Sequence, residues 1–249
     1  HPQTLRFSWP PESSGRTFFL KAFHRGRGAS KLKDLFRASK ARRFWRQGLG
    51  LAAAGFNVPV TVAFAEERPA GVVQRSLVVT EALSGLTAPQ DLSGLDSAPH
   101  SRAQLKIKRR AIAQLGGLIR RFHDLGFVHG DLVASNIFLV TRNPDRLLFY
   151  FMDNDRTRCY PVWLTLQLRK RNLVQLNRLP LAHITLQDRM RFFHAYLGVA
   201  RLSERDRRLA RWLEARTRKR RKECDGADPN ENFRRLMRWV PAATDAKQF

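Results

Sequence analysis

The sequence predicts an α+β chain in two lobes, a small β-rich lobe with one helix over residues 1–84 and a larger, mainly helical lobe over 85–249. Three observations predict it. Short apolar and aromatic runs bounded by turn residues recur through the first lobe. A long stretch of helical periodicity, Ser101 to Leu125, opens the second. Beyond it, two apolar runs flank the turn-like Thr141-Arg142-Asn143-Pro144-Asp145 and read as a β-hairpin, and three further helical patterns fill the rest.

Taken in order, Leu5 to Trp9 alternates weakly and suits a strand, and Pro10-Pro11-Glu12-Ser13-Ser14-Gly15 is a turn cluster. Thr17 to Phe23 is a second strand, in which Lys21 stands among large apolar side chains. Taken alone, such a lysine is usually a solvated face residue. His24 to Ser30 carries Gly26-Arg27-Gly28, which follows the strand and lacks a complete six-residue glycine pattern, so it reads as a flexible basic connection. Lys31 to Ala54 is helical: Leu32, Leu35, Phe36, Phe44, Trp45, Leu49 and Leu51 recur at about 3.6 residues, and Gly55 ends the run. Val58 to Phe64 and Val72 to Leu83 are further strands, the second running into Glu81-Ala82-Leu83-Ser84-Gly85. Ala88 to Ala98 is a loop. In the helix from Ser101, the apolar face is Leu105, Ile107, Ile112, Leu115, Leu118, Ile119 and Phe122, and Gly126 is a fitting stop. Leu164 to Leu179, Thr185 to Leu197 and Ser203 to Lys222 complete the helices. The last ends in Arg216-Thr217-Arg218-Lys219-Arg220-Arg221-Lys222, either a solvated face that complements the helix dipole or a contact for anionic lipid or glycan phosphate.

The chemistry gathers at the hairpin. His129-Gly130-Asp131-Leu132-Val133-Ala134-Ser135-Asn136 leads into its first strand, and Phe151-Met152-Asp153-Asn154-Asp155 leaves its second. A hairpin between them brings Asp131 and Asn136 close to Asp153. Two carboxylates and an amide oxygen are hard ligands suited to Mg²⁺. The plainer reading is that Asp131 and Asn136 cap turns and Asp153 closes a strand. The ordered pair with a hairpin between favours the other: His-x-Asp-x-x-x-x-Asn followed by Asp is the catalytic layout of protein-kinase-like phosphotransferases. There the first Asp positions the acceptor hydroxyl and takes its proton, and the Asn and second Asp hold metal on the ATP phosphates. In that frame Lys21 is the candidate to grip the α- and β-phosphates. Glu81 and Leu83 then suit a hinge offering backbone groups to an adenine ring, although an ordinary buried strand end fits that segment equally well. The helix before them would normally supply a glutamate for the lysine. Between Glu12 and Glu66 the only acidic residue is Asp34, and Gln47 is a polar stand-in at a plausible place.

The formal net charge of +25 favours anionic partners without choosing among nucleic acid, acidic lipid and phosphorylated glycan. Two cysteines, Cys159 and Cys224, form no metal-ligand cluster and suit a reducing compartment. The longest uncharged run, Leu49 to Ala65, contains Gly50, Gly55, Asn57 and Pro59 and falls short of a membrane span.

The sequence resembles the lipopolysaccharide core kinases, the Kdo and heptose kinases of protein-kinase-like fold. His129-Gly130-Asp131-Leu132 with Asn136 is similar to that group's catalytic loop, and Phe151-Met152-Asp153-Asn154-Asp155-Arg156 to its Asp-x-Asp metal segment. Ala41-Arg42-Arg43-Phe44-Trp45-Arg46, Ala54 to Pro59, Asn172 to Arg178 and Asp188 to Leu197 are similar too, so the likeness covers roughly Phe18 to Leu197. It implies that Lys21 binds ATP phosphates, Asp131 is the catalytic carboxylate, and Asn136 and Asp153 hold Mg²⁺, with Asp155 a further carboxylate. It implies a lipid-linked anionic glycan acceptor, the lipopolysaccharide inner core, and work at the cytoplasmic face of the inner membrane through peripheral contact. No specific nucleic acid is expected. Two departures stand out. The helix glutamate is not evident, and the strand and loop that would cover the phosphates fall at or before residue 1. They keep open a pseudokinase or nucleotide- and polyanion-binding protein, beside a kinase of another small-molecule acceptor. Gly130 stands where many regulated kinases carry arginine, and no Ala-Pro-Glu motif follows Asp155.

Overall fold

The structure, a computed structural model, describes residues 3–9, 15–24, 38–83, 86–87, 101–143, 146–178 and 184–225. Its first part is an antiparallel sheet of β1 (Gln3–Trp9), β2 (Arg16–His24), β3 (Thr61–Glu67) and β4 (Arg75–Glu81), in the order β1-β2-β4-β3. The expected strands are all present. β3 begins at Thr61, three residues later than the apolar run, because Val58 packs against the larger core and Pro59 is buried. In β4 the even positions Ser76, Val78 and Thr80 face inward, the period of a half-buried strand.

Helix α1 (Lys40–Ala53) starts at Ser39, whose side chain accepts the Arg42 N–H at 3.0 Å. Expected helical residues 31–37 lie outside the described residues. Ala41 and Phe44 of α1 close a small apolar cluster with Phe23 of β2 and Val78 of β4, while Trp45 stacks on Phe64 with centroids 4.9 Å apart. This packing fixes the helix over the strand that carries Lys21.

The second part is mainly helical. The two-residue strand β5 (Leu86–Thr87) joins a hairpin, and α2 (Arg102–Asp124) follows with a capping box between Ser101 and Gln104. Gly126, at φ 83°, stops α2 as expected. Next come β6 (Phe127–Val128), the hairpin β7 (Ile137–Asn143) and β8 (Arg146–Phe151), and β9 (Arg158–Cys159), which pairs with β6. Helices α3 (Leu166–Asn177), α4 (Leu186–Leu197) and α5 (Glu204–Asp225) complete the described residues. Helix α4 lies along α2, where Lys108 and Asp188 form a buried ion pair at 3.3 Å. Asp188 also closes the capping box with Thr185, so its charge is hydrogen-bonded as well as paired.

The larger core contains Ile119, Phe122, Leu132, Ile137 and Phe151, together with Leu51 and Phe56 from the end of α1 and its exit. Phe56 meets Phe122, Phe127 and Phe151 edge to face, at 5.4, 5.9 and 5.7 Å. The neighbouring Asn57 carbonyl accepts the Phe151 N–H at 2.9 Å, and the Asn57 amide donates to the Phe149 carbonyl at 3.2 Å. The exit of α1 is thereby fastened to the strand that delivers Asp153.

Candidate active site

The hairpin does what its position predicts. Ile137 pairs with Phe151, and one step beyond the ladder the Met152 N–H donates to the Asn136 carbonyl at 2.8 Å. The residues entering and leaving the hairpin are thus locked side by side. The Asp131 N–H donates to His129 Nδ1 at 3.1 Å, and its carbonyl accepts from Val133 N–H at 2.9 Å and from Asn136 Nδ2 at 3.0 Å. These bonds use only the main chain of Asp131 and leave its half-buried carboxylate for chemistry. With Nδ2 committed to Asp131, the Asn136 amide presents Oδ1 as its remaining ligand atom.

His129 ties the two segments together. It is 1% exposed, and its Nε2 lies 2.9 Å from the Met152 carbonyl. Because Nδ1 accepts the Asp131 N–H, the proton resides on Nε2 and is donated to Met152. Burial holds the ring well below the usual histidine range, so it stays neutral and acts as a strut. A second strut comes from α3. Asn172, fully buried, accepts the His129 N–H at 3.0 Å and donates to the His129 carbonyl at 2.6 Å. Gln175 adds an acceptor for the Leu132 N–H at 3.3 Å. Behind them, His123 Nε2 lies 3.3 Å from Asn172 Oδ1, and Nδ1 lies 2.9 Å from the Tyr196 hydroxyl. Burial lowers the His123 pKa to about 4 and raises that of Tyr196 to about 12. A neutral ring donating from Nε2 and accepting the Tyr196 O–H satisfies every group in this chain.

Asp153 adopts φ 51° and ψ 48°, the left-handed region, and is the non-glycine residue with positive φ among the described residues. Such a conformation persists where surrounding bonds fix it. Here His129 holds Met152 on one side, and on the other the buried Asn154 donates from Nδ2 to the Phe151 carbonyl at 2.8 Å. The Asp153 carboxylate forms an ion pair with Lys21 of β2. This contact joins the sheet to the end of the hairpin and answers the question of the missing glutamate: the partner of the lysine comes from the segment that leaves β8. Helix α1 contributes Arg43 instead of Gln47. Its Nε donates to the Asp155 carbonyl at 3.3 Å, and its guanidinium lies 4.0 Å from the Asp155 carboxylate.

Glu81 ends β4; its N–H donates to the Val60 carbonyl and its carboxylate pairs with Arg16, while the Ala82 N–H donates to the Thr17 carbonyl. Leu83 follows, half-buried. Of the expected residues, the structure links Lys21, Asp131, Asn136, Asp153 and Asp155 in one bonded neighbourhood, whereas Glu81 and Leu83 lie at the far end of the sheet strand beside β2. Sequence reasoning missed Arg43, Asn172, Gln175 and His123. Their one signal was position: Arg43 and Asn172 fall inside stretches of family likeness, and Asn172 interrupts an apolar pattern next to Leu173 and Val174. Gly130 has a steric reason, since a Cβ there would lie 2.2 Å from the Arg156 Cβ.

A model of the lipopolysaccharide kinase (Kdo/WaaP) family matches residues 2–196. The chain belongs to that family. It is therefore an ATP-dependent kinase of lipopolysaccharide biosynthesis. It is 25% identical over 209 residues to the lipopolysaccharide core heptose(I) kinase WaaP of Escherichia coli (strain K12), covering 79% of this chain and 75% of that one. A solved structure of WaaP in complex with acyl carrier protein shares the fold, with a TM-score of 0.62 and 23% identity over 88% of this chain and 84% of that one. Among the described residues no helix is long and apolar enough to cross a membrane.

Proposed function

We propose that this kinase transfers the γ-phosphoryl group of Mg-ATP to a sugar hydroxyl, on Kdo or heptose, of the lipopolysaccharide inner core at the cytoplasmic face of the inner membrane. The observation that carries this reading is the Lys21–Asp153 contact, made against a catalytic loop already pinned by His129 and Asn172. A phosphate-gripping cation, a metal-binding carboxylate and a hydroxyl-orienting carboxylate then lie along one path. In this reading residues 1–84 form the nucleotide lobe and 85–249 the catalytic and acceptor lobe.

Asn136 Oδ1 and the Asp153 carboxylate would hold Mg²⁺, with Asp155, which faces Arg43, as a further carboxylate. The donor set fits the ion. Mg²⁺ takes hard oxygen ligands, commonly one or two carboxylates, and completes its shell with phosphate oxygens and water. When bound, the ion neutralises charge on the transferring phosphoryl group. Lys21 leaves its contact with Asp153 to align the α- and β-phosphates, and the backbone at Glu81 and Leu83 receives the adenine. Asp131 orients the acceptor hydroxyl in line and takes its proton. Catalysis rests on positioning and charge stabilisation in a preorganised site.

The test is transfer of labelled γ-phosphate from Mg-ATP to purified lipopolysaccharide core by the wild type and by Asp131→Ala. Label on the glycan that vanishes in the variant supports the reading. Transfer by the wild type to a different acceptor class, with the core left unlabelled, overturns it.

A further inference from the structure

The chain emerging from the metal segment carries an apolar surface that the transfer chemistry does not use. Val162–Leu164 form a single 3-10 turn that continues into α3. Trp163 is 79% exposed, Leu166 57%, Val162 53% and Leu164 50%. A cluster of that size and character on the surface of a folded protein marks an interaction site. The exposure is built in. Thr165, fully buried, donates from Oγ1 to the Val162 carbonyl at 2.6 Å and accepts from Arg169 Nε at 2.8 Å, so the turn is fastened from beneath. The surface continues along α3. Leu166 and Lys170 are i,i+4 neighbours, and the Lys170 ammonium lies 5.3 Å from the ring centroid of Trp212, itself 43% exposed.

Charge selects the occupant. From Arg156 to Arg178 the chain has six cations and no carboxylate; of the six, Arg169 is paired with Asp124 of α2 at 3.0 Å. The partner must therefore be apolar and anionic over the same area, which describes the interface of an anionic bilayer: tryptophan at headgroup depth, leucines and valine below it, lysine and arginine among the phosphates. Topology adds direction. β9 precedes the patch immediately and pairs with β6, the strand that enters the His129–Asp131 loop. A membrane held at Trp163 is thus tied through β9 to the strand that enters the His129–Asp131 loop.

We propose that the Val162–Leu166 turn, with Lys170 and Trp212, is the surface by which this kinase docks on an anionic phospholipid bilayer. The proposal deepens the reading of a lipid-linked acceptor, but its vesicle-binding test needs neither acceptor nor nucleotide. Full-length protein is sedimented with vesicles of phosphatidylglycerol and phosphatidylethanolamine, in parallel with vesicles of phosphatidylcholine alone. The expected result is binding to the anionic vesicles, weakened at least tenfold in Trp163→Asp and Leu166→Asp and only a few-fold in Trp163→Phe. The same variants should phosphorylate delipidated core oligosaccharide as the wild type does and unfold at the same temperature, since both replaced side chains are exposed. No vesicle binding by the wild type, or binding unchanged by the aspartate variants, overturns the proposal. So does loss of binding to acyl carrier protein in the aspartate variants while vesicle binding persists, which would assign the surface to a protein partner. If vesicle binding behaves as expected while no glycan is labelled, the docking surface stands and the acceptor assignment falls.

Discussion

Replacing Asn172 by alanine tests whether the catalytic loop is held in place from helix α3. The amide satisfies both main-chain groups of His129, at 3.0 and 2.6 Å, in surroundings closed to water. Truncation leaves that N–H and C=O unpaired, each at a cost of ~1–3 kcal/mol, so a stability loss of about 3–4 kcal/mol follows. The loop then relaxes toward other partners. A shift of about 1 Å in Asp131 lowers turnover by about 10²-fold. Lys21 and the β4 end are untouched, so the KM for ATP should stay within about twofold of wild type, an expectation from the difference between uniform and transition-state binding. Urea unfolding gives the first quantity and steady-state kinetics the other two. An N172A enzyme that retains wild-type stability and turnover would refute the reasoning. Asn172→Asp separates the two bonds: its carboxylate still accepts the His129 N–H but cannot donate to the carbonyl. It also places a negative charge beside His123 Nε2, which favours the imidazolium and should bring a new titration into the pH profile.

Three further outcomes follow from the geometry. Lys21→Met and Asp153→Asn should each reduce kcat/KM by at least about 10²-fold without lowering the melting temperature appreciably, because a half-exposed ion pair contributes only ~0–1 kcal/mol to stability; calorimetry alongside kinetics decides. Gly130→Ala should push its Cβ against the Arg156 Cβ at 2.2 Å and destabilise the fold by about 1–3 kcal/mol, with turnover falling more than nucleotide affinity as measured by fluorescent-ATP titration. Stability should also fall with acid. His123 has its folded pKa depressed from 6.5 to about 4, so below pH 6.5 the unfolded chain takes up a proton that the native state refuses. The contribution is full above the unfolded value and drains away toward pH 4 at about 1.4 kcal/mol per pH unit, roughly 3 kcal/mol in all. Denaturation midpoints between pH 7 and 4.5 measure it, and His123→Asn should flatten the slope.

The longer strands and helices were legible because each announces itself locally, whereas the two-residue strands β5, β6 and β9 form only by pairing with distant segments and were not expected. The hairpin at β7 and β8 has apolar runs either side of a turn, α2 has a serine cap and a glycine stop, and Asp131, Asn136 and Asp153 are placed by chain connectivity alone. What stayed hidden depends on contacts between segments distant in sequence. Asn172 is 43 residues from His129, and nothing in the helix pattern of α3 says that its amide is a bracket for another segment's backbone. Arg43 looked like one cation among many on an amphipathic helix, and only the packing of α1 over the metal segment singles it out. The partner of Lys21 was sought on α1 because a glutamate commonly serves there. The carboxylate that meets it is Asp153, which the spacing suggests for metal, and no sequence spacing reports this contact.

That contact bears on how the site is assembled. In regulated protein kinases an arginine beside the catalytic Asp and a lysine–glutamate pair from the helix are assembled by a phosphorylated loop. Here the first position is Gly130, and the space that an arginine would need is filled by the backbone and Cβ of Arg156. The helix contact is inverted in charge: Arg43 on α1 reaches Asp155, where the usual arrangement sets a helix carboxylate against the lysine. Inversion keeps α1 coupled to the Asp153–Asp155 segment while Lys21 pairs with Asp153. The bonds that fix the Asp131 main chain come from His129 and Asn136, and His129 is held in turn by Asn172. The backbone around Asp131 is therefore held by contacts already present in the folded chain.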